Sequence, residues 1–520
     1  MKRWGFRYAT AFVLVAATAC ASRSEPGTSF SERGRMVIAT GYRFITERYI
    51  DKVSPRQVAM AGLKGIHSLD PTLDAEMKGR SVVVRRADNV VALFKAPSLN
   101  NSNKWADTTV DAFLAARSVS PKIREANAET IYKAVFDSAL TSLDKYSRYA
   151  SAADARDSRA WREGYGGIGI TIRHEKGMTK VVSVMPATPA AKAGVKAEDT
   201  IVGIDGRATK GWTLRQVVRQ LRGPRGSWVR LTLARATRPA PVNVRVERRF
   251  IIPNTVTYRR KGRIAYIAIN RFSTGTARRV ALAVRRARTE IGSRLRGLVI
   301  DLRNNPGGLL DQAIGVSDLF LTGGAIVSTR GRHPESHQRY VAQRFDITNG
   351  LPIVVLVNGR SASSSEIVAA ALQDNGRAVL VGTNSFGKGT VQSVTSLPNR
   401  GEMILTWSRF HAPSGYALQG LGVLPNVCTS LGPHTANAVV TALRNHKTAN
   451  SYVFKRWRRV DLPSKSRQKA LRKLCPASVA TGKFDVDFEV ARRLISNRRL
   501  YQMAAQPTVA RRGARDSATR

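Results

Sequence analysis

The sequence predicts a multidomain protein of the α+β class, with a helical N-terminal region, a strand-rich middle and a core of alternating strands and helices. The chain has 520 residues, 43% of them hydrophobic, which suits a globular protein of about three or four domains. Apolar residues recur at helical spacing near the N-terminus. Between residues 251 and 430, short apolar runs alternate with amphipathic helices, and this alternation predicts the α/β core.

Residues 1–21 have the features of a secretion signal. Three basic residues precede the apolar stretch Ala11–Ala17 and the small-residue cleavage site Ala19-Cys20-Ala21. Cys20 is alternatively a lipid-attachment cysteine. Both possibilities predict a protein of the periplasm or cell envelope, in the second case lipid-anchored through Cys20. No later segment reaches the length of a transmembrane helix.

The formal net charge of +49 is extreme and points to an anionic partner. The basic residues are spread along the chain, and no run of them alternates with aromatic residues as in a single-strand binding surface. No zinc-finger or RNA-binding signature is present. The charge therefore favours an anionic membrane surface or acidic partners, and nucleic acid is not expected.

Residues 30–163 form the predicted N-terminal region, which is mainly helical. Helical periodicity extends over residues 30–75 and returns over Glu129–Leu143. The valine-rich stretch 81–97 predicts strands, and the polar stretch 98–120 is expected to be rich in loops.

Residues 164–247 contain short strands separated by glycine-rich turns. The segments Gly166-Gly-Ile-Gly-Ile170, Pro186–Gly194 and Asp199–Gly206 occur in the order and spacing of a bacterial PDZ domain, and the region resembles one. The resemblance implies that the first segment captures the terminal carboxylate of a peptide, which adds a strand to the sheet edge. The residues to which it assigns peptide binding are Gly167, Ile168, Gly169 and Ile170.

Residues 251–430 form the predicted core. Its apolar runs have the length and composition of buried strands. The predicted strands are Ile264–Ile269, Leu298–Leu302, Ile353–Val357, Ala378–Val381 and Val391–Leu397. An amphipathic helix is predicted over Ala277–Ile291, and others follow Leu309 and the small-residue cluster that begins at Ser361.

Two segments of the core carry candidate chemistry. The cluster Ser361-Ala362-Ser363-Ser364-Ser365 lies at a strand-to-helix turn, where helix N–H groups can stabilise a developing anion. Lys388 stands between two glycines after a buried strand, and a lysine that loses its proton in a dry pocket can act as general base toward a serine. The plainer alternative is that the serines cap the helix and Lys388 is solvated.

These segments resemble the carboxyl-terminal processing (tail-specific) proteases. The match comprises Ser361–Glu366, Phe386-Gly387-Lys388-Gly389 and Gln392. The resemblance implies that Ser363 is the nucleophile, Lys388 its general base and Gln392 the residue that orients the lysine. Arg360 stands where the family usually has glycine, and Ser364 where it often has alanine.

The resemblance also implies an oxyanion hole, a fold and a substrate class. The N–H of Ser364 would act with that of Gly308, although Gly307 is the alternative to Gly308. The core would be a ββα superhelix of the ClpP/crotonase type, and the reaction would need no cofactor or metal. The substrates would be proteins or peptides with C-terminal tails, with an adaptor lipoprotein as a further possible partner. Alternatives are a catalytically inactive PDZ scaffold and an adaptor-dependent hydrolase of the cell envelope.

Competing chemistries lack their motifs. None of the histidines (His67, His174, His333, His337, His411, His434 and His446) lies in a recognisable Ser-His-Asp motif. The pair His333 and His337 lacks the glutamate of a zinc motif. The segment Gly382–Lys388 resembles a phosphate-binding loop, but Gly389 follows where that motif needs serine or threonine.

Besides Cys20, the chain has only Cys428 and Cys475. An even pair in an exported chain predicts one disulfide, and two unrelated buried thiols are the alternative. Residues 431–505 are predicted to be a basic helical region, and residues 506–520 a disordered tail.

Overall fold

The structure is a computed structural model that describes residues 28–343, 345–431, 435–445, 451–458, 464–479 and 485–505. The predicted secretion signal with Cys20, the predicted C-terminal tail, His434 and His446 lie outside these residues. The chain divides into two compact units, Met1–Arg43 with Pro55–Ala139 and Phe44–Ser54 with Leu140–Arg520. Within the described ranges, no helix is both long and apolar enough to cross a membrane.

The first unit consists of helices and a small antiparallel sheet. In chain order the elements that begin in it are α1 (Thr28–Arg48), α2 (Pro55–Leu63), α3 (Gly65–Leu69), β1 (Leu73–Lys78), β2 (Ser81–Arg86), β3 (Asn89–Lys95), α4 (Ser102–Val119), α5 (Pro121–Glu125) and α6 (Ala128–Thr141). The last residues of α1 and α6 belong to the second unit. Strand β2 lies between β1 and β3. The strands predicted within residues 81–97 are therefore confirmed as β2 and β3.

The expectation that residues 98–120 are mostly loop is wrong, because helix α4 covers most of this stretch. Its apolar residues Trp105, Val110 and Phe113 are fully buried. The polar residues Thr108 and Thr109 between them are also buried, and their hydroxyls donate to the carbonyls of Lys104 and Trp105 one turn earlier. Asn101 caps the helix by accepting a hydrogen bond from the Lys104 N–H. The helical period was hidden by the polar residues that separate these few large apolar side chains.

The second unit continues with the strand-rich region. Its elements are β4 (Arg148–Ala150), α7 (Ala152–Arg162), β5 (Tyr165–Gly167), β6 (Ile170–Glu175), β7 (Met178–Val184), α8 (Pro189–Lys192), β8 (Thr200–Ile204), β9 (Arg207–Ala208), α9 (Leu214–Leu221), β10 (Trp228–Arg235), β11 (Arg238–Glu247) and β12 (Arg249–Ile251). One sheet has the order β11-β10-β8-β7-β6, with β9 paired to β8, so β6 lies at its edge. Strand β5 pairs with β12.

The core follows with both of its sheets and their helices. Its elements are β13 (Val256–Lys261), β14 (Ile264–Ile269), α10 (Thr276–Ile291), β15 (Gly297–Asp301), α11 (Leu310–Asp318), β16 (Ala325–Gly331), β17 (Gln338–Val341), β18 (Ile353–Val357), α12 (Ser364–Asp374), β19 (Val379–Gly382), β20 (Thr390–Ser396), β21 (Glu402–His411) and β22 (Val427–Cys428). The main sheet has the order β13-β14-β15-β18-β19-β22. All its neighbours are parallel except β13 and β14. The predicted strands and helix of the core are confirmed.

The main sheet is buried on both faces, which explains the continuous apolar runs of its strands. In β18, Val355 packs in the cluster that contains α12, whereas Val354 and Leu356 pack in a second cluster on the other face. This second cluster is completed by C-terminal helices. The described helices of that region are α13 (Ala436–Arg444), α14 (Ser451–Arg458), α15 (Lys465–Arg472), α16 (Val486–Ser496) and α17 (Arg498–Ala505).

A second sheet of order β17-β16-β21-β20 lies in the same unit, and β4 pairs with β21. This pairing brings the segment around residue 146 to the loop that precedes β20. Across the core, a disulfide joins Cys428 at the end of β22 to Cys475 just after α15. The disulfide fixes the basic segment around α15 to the main sheet.

Candidate active site

The site is built where β18 ends and α12 begins. Ser363 is the last residue before α12 and has a φ of 56°, a left-handed conformation that residues with a side chain rarely adopt. Such strain persists only where the surroundings enforce it, and it is concentrated at functional sites. Ser363 remains partly exposed although the residues of α12 that follow it are buried.

Small hydroxyl side chains hold this turn in place. Ser361 Oγ donates to Leu302 O at 2.8 Å, and Ser365 Oγ donates to Asn305 O at 2.9 Å. The cluster is fully buried on both sides of Ser363, which explains why it contains only small residues. Arg360 is exposed and does not have a positive φ, so the turn has no need of the glycine that is usual at this position.

The glycine pair after β15 lies directly against the serine turn. A Cβ atom on Gly307 would lie 2.8 Å from Ser363 Cβ and 3.0 Å from Ser364 N. Gly308 O accepts a hydrogen bond from Ser364 Oγ at 2.9 Å. Among the described residues, the N–H groups of Gly308 and Ser364 have no acceptor. Two unpaired backbone donors beside a candidate nucleophile are what an oxyanion hole requires.

Lys388 lies in the loop between β19 and β20 and is partly exposed. Its Nζ lies 5.2 Å from the centre of the Tyr146 ring, which can stabilise a cation. Burial, and then the positive charge of Arg148, lower the pKa of Lys388 below its usual value, while Glu366 and Asp144 oppose the shift. A lysine with a depressed pKa is neutral more often and can accept a proton.

Glu366 connects the serine turn to the lysine loop. It is fully buried, and its Oε2 accepts hydrogen bonds from the Ser363 N–H at 2.7 Å and the Lys388 N–H at 2.9 Å. Its Oε1 accepts from Ser385 Oγ and from the Gly387 N–H. Burial raises the pKa of Glu366, whereas these four hydrogen bonds oppose the rise. The sequence indicated Glu366 as part of a motif, but gave it no role.

Ser363 and Lys388 are thus brought together through their backbones. No hydrogen bond joins Ser363 Oγ to Lys388 Nζ in the part of the chain that the structure describes. In a site without substrate, such bonds are often long and tighten only in the complex.

Gln392 lies in β20, and the hydrogen bonds of its side chain go to neighbouring threonines. Its Nε2 donates to Thr390 Oγ1 at 2.8 Å and to Thr406 Oγ1 at 3.4 Å. Thr406 Oγ1 in turn donates to Asp144 Oδ1 at 3.2 Å. In this arrangement Gln392 has no hydrogen bond to Lys388, so its orienting role stays a prediction.

The histidines have other partners. His67 pairs with Asp74 in the first unit, and His174 contacts Thr179 in the strand-rich region. His333 and His337 lie near Gly331 and Glu335. Within the described ranges, no group of three or more His, Cys, Asp and Glu side chains could hold a metal ion.

The predicted carboxylate-binding loop lies between β5 and β6. Ile168 is buried, and Gly169 has a φ of 87°. Among the described residues, neither the Ile168 N–H nor the Gly169 N–H has an acceptor. Because β6 is an edge strand, its free side can pair with an added peptide strand.

Comparisons with known proteins identify the families of two regions of the chain. The model of Peptidase family S41 matches residues 263–429, and a PDZ domain model matches residues 180–235. A carboxy-terminal-processing protease of Bartonella bacilliformis is 45% identical over 290 residues, which cover 55% of this chain and 67% of the relative. The carboxyl-terminal-processing protease of a Picosynechococcus species is 34% identical over 302 residues, covering 57% and 72%.

A solved photosystem II D1 C-terminal processing protease shares 24% identity and a TM-score of 0.38 with this chain, and the alignment covers 75% of this chain and 92% of the other. The family resemblance carried by the serine and lysine motifs is confirmed by the sequence comparisons. The chain therefore belongs to the carboxyl-terminal processing proteases, serine peptidases of family S41 that carry a PDZ domain.

Proposed function

We propose that this protein is an exported serine endopeptidase that captures protein C-terminal tails through its PDZ domain and cleaves them with a dyad of Ser363 and Lys388. The observation that carries the proposal is the shared carboxylate of Glu366, which accepts the backbone N–H of both residues. It ties the strained serine turn to a lysine whose pKa is lowered by burial. A nucleophile and a base that can be neutral are the two groups that this chemistry needs.

In the proposed reaction, Ser363 Oγ attacks the carbonyl carbon of the scissile peptide while Lys388 Nζ takes the serine proton. The N–H groups of Gly308 and Ser364 donate to the oxyanion that forms. Lys388 then gives its proton to the leaving amine as the peptide C–N bond breaks, leaving an acyl ester on Ser363. Water hydrolyses this ester with Lys388 again as base. No cofactor takes part.

The PDZ domain supplies the substrate in this proposal. The unpaired N–H groups of Ile168 and Gly169 are suited to a terminal carboxylate, and the tail would extend along the edge strand β6. Gly167 and Ile170 complete the proposed loop. Gln392 is proposed to orient Lys388 once substrate has displaced its present partners.

Two finer features also belong to the proposal. We infer a ββα superhelix of the ClpP/crotonase type for the core, which its mostly parallel main sheet supports. Export to the periplasm or cell envelope is supported by the signal-like N-terminus and by the disulfide, which is typical of oxidising compartments. Cell fractionation tests the lipid anchor: if Cys20 carries a lipid, the Cys20→Ala variant should leave the membrane fraction.

The test is degradation of an unfolded reporter with an apolar C-terminal tail by the mature protein, alongside Ser363→Ala and Lys388→Ala. We expect the wild type to cleave, and both variants to lose activity by at least about 10³-fold while keeping the wild-type circular dichroism spectrum. Normal cleavage by Lys388→Ala would show that the base is another residue. A wild type that leaves this and other tails uncut would favour the PDZ scaffold or an adaptor-dependent enzyme.

A further inference from the structure

The segment 464–479 is the most cationic part of the described C-terminal region. It contains Lys465, Arg467, Lys469, Arg472 and Lys473 and no acidic residue. Among the described residues, none of these five side chains forms an ion pair with a carboxylate. So many unpaired cations in one short segment repel one another, and an anionic ligand would relieve that repulsion.

Four of these cations line one cleft. The cleft has a volume of about 440 Å³ and is open to solvent. Its lining consists of Gly420, Lys465, Gln468, Lys469, Arg472, Lys473, Pro476 and Ala477. The lysines are exposed, whereas Arg472 is half-buried, and burial lowers the pKa of this arginine. The cleft is therefore lined by four cationic side chains, of which Arg472 is the most buried.

The cleft adjoins the loop that carries Lys388. Arg472 donates to Ser385 O at 3.0 Å and to Leu421 O at 2.8 Å. The N–H of Gly420, which also lines the cleft, donates to Gly387 O at 2.8 Å. A ligand in the cleft thus lies beside the backbone of the loop that carries Lys388, the proposed general base.

The spacing of the lysines favours an extended ligand over a small anion. Lys465, Lys469 and Lys473 follow one another at intervals of four residues, which is about 6 Å along a helix axis. Side chains two residues apart on an extended peptide are separated by about 6.6 Å. Helix N-termini commonly bind phosphate groups. At the N-terminus of α15, however, the Arg467 N–H already donates to Ser464 Oγ, which leaves one donor fewer for a small anion.

We propose that this cleft binds acidic side chains of the polypeptide substrate, with Asp or Glu at alternate positions of an extended segment facing the three lysines. The inference rests on the proposed peptidase function and adds a substrate class to it. It also assigns part of the chain's excess positive charge to substrate selection. The disulfide at Cys475 ties the cationic segment to the end of β22, and Arg472 joins it to the loop of Lys388 through Ser385 O.

The experiment compares two unfolded reporters that share an apolar tail. Before the tail, one carries three Asp residues alternating with Ser, and the other has Asn in place of each Asp. We expect the wild type to show about a fivefold lower KM for the Asp reporter at low salt, with little change in kcat. The difference should shrink as ionic strength rises, because the lysines are exposed.

The variant Lys465→Gln/Lys469→Gln/Lys473→Gln should lose this preference while still cleaving the Asn reporter at the wild-type rate. The matched control is Lys78→Gln/Lys95→Gln/Lys104→Gln, which removes the same charge from exposed lysines of the first unit and should keep the preference. Thermal unfolding of all three proteins shows whether each is folded.

Different results overturn different statements. Cleavage of the Asn reporter by the wild type, and its loss in Ser363→Ala, tests the peptidase function by itself. If the wild type cleaves both reporters with one KM, or if the control triple variant loses the preference equally, the cleft is not the acidic-substrate site. A third outcome is that the wild type shows no preference between the reporters but binds phosphatidylcholine vesicles containing phosphatidylglycerol, whereas the Lys465→Gln/Lys469→Gln/Lys473→Gln variant does not bind them. The occupant of the cleft would then be a membrane surface, and the inference would be wrong.

Discussion

Ser363 and Lys388 donate their backbone N–H groups to the same oxygen of one buried carboxylate, Glu366 Oε2, at 2.7 and 2.9 Å. Two chain segments separated by β19 are thereby fixed to each other at the proposed nucleophile and the proposed base. Because both donors are backbone groups, this shared acceptor engages neither the serine nor the lysine side chain. Glu366 is in this view a positioning residue rather than a reacting group.

Glu366→Gln should separate the two segments. A carboxylate has two acceptor oxygens, whereas a glutamine amide has one oxygen and one NH₂ group. The NH₂ group would therefore replace one carboxylate oxygen and face hydrogen-bond donors from which it cannot accept. We expect kcat to fall by about 10²-fold with a smaller change in KM, and the free energy of unfolding to fall by about 1–3 kcal/mol. Steady-state kinetics and urea unfolding measure both effects.

Glu290→Gln serves as the control for this change, since Glu290 is an exposed glutamate on α10. It should retain wild-type kcat. If Glu366→Gln also retained it, the carboxylate would be structural packing and would not position the dyad.

Arg148→Gln should change the pH dependence of the reaction. The positive charge of Arg148 is the second cause, after burial, of the lowered pKa of Lys388. Removing a neighbouring cation favours the protonated lysine, so the pKa of Lys388 rises. Since the neutral form is the base, the rise of kcat/KM with pH should move to higher pH. A pH profile of kcat/KM measures the displacement.

Arg259→Gln removes an equal charge from an exposed position on β13 and should leave the profile in place. Coincident profiles for Arg148→Gln and the wild type would contradict the assignment of Lys388 as the base whose charge state limits the rate.

Gly307→Ala tests the close approach of the glycine loop to the serine turn. The added methyl group would meet Ser363 Cβ at 2.8 Å, and the residue has a φ of 101°. Either the turn moves or the proposed oxyanion donors do, so we expect peptidase activity to fall by about 10²-fold or more. The reporter assay measures it.

Gly323→Ala is the matched substitution, because a Cβ at Gly323 has no atom within 4 Å and its φ is not positive. It should be fully active. Equal activity in the two alanine variants would show that the loop yields without disturbing the site.

The sequence allowed the strands of the core to be predicted because parallel strands buried on both faces are continuous apolar runs. Ser363 and Lys388 could be singled out because each lies in a family motif and also directly after a predicted buried strand, where a reactive side chain is expected. The role of Glu366 could not be predicted, since its partners Ser385, Gly387 and Lys388 lie 19 to 22 residues away and meet it only in the folded chain. The partners of Gln392 likewise depend on how β20 pairs with β21.

Cys428→Ser/Cys475→Ser should loosen the basic segment without unfolding the core. The disulfide closes a loop between residues 47 apart in sequence, and Cys475 is fully buried beside the main sheet. Loss of such a cross-link costs about 4 kcal/mol by the chain-entropy estimate. Arg472 of this segment donates hydrogen bonds to Ser385 O and Leu421 O. Release of the segment should therefore also disturb the loop that carries Lys388.

We therefore expect two separate consequences of this double substitution. Limited proteolysis should cut first within residues 429–474, and kcat should fall because the loop of Lys388 loses contacts on one side. Treating the wild type with a reductant under native conditions should reproduce both effects, whereas the double variant should not respond to it. Full activity and an unchanged proteolysis pattern in the double variant would mean that the contacts of Arg472 hold the segment in place without the cross-link.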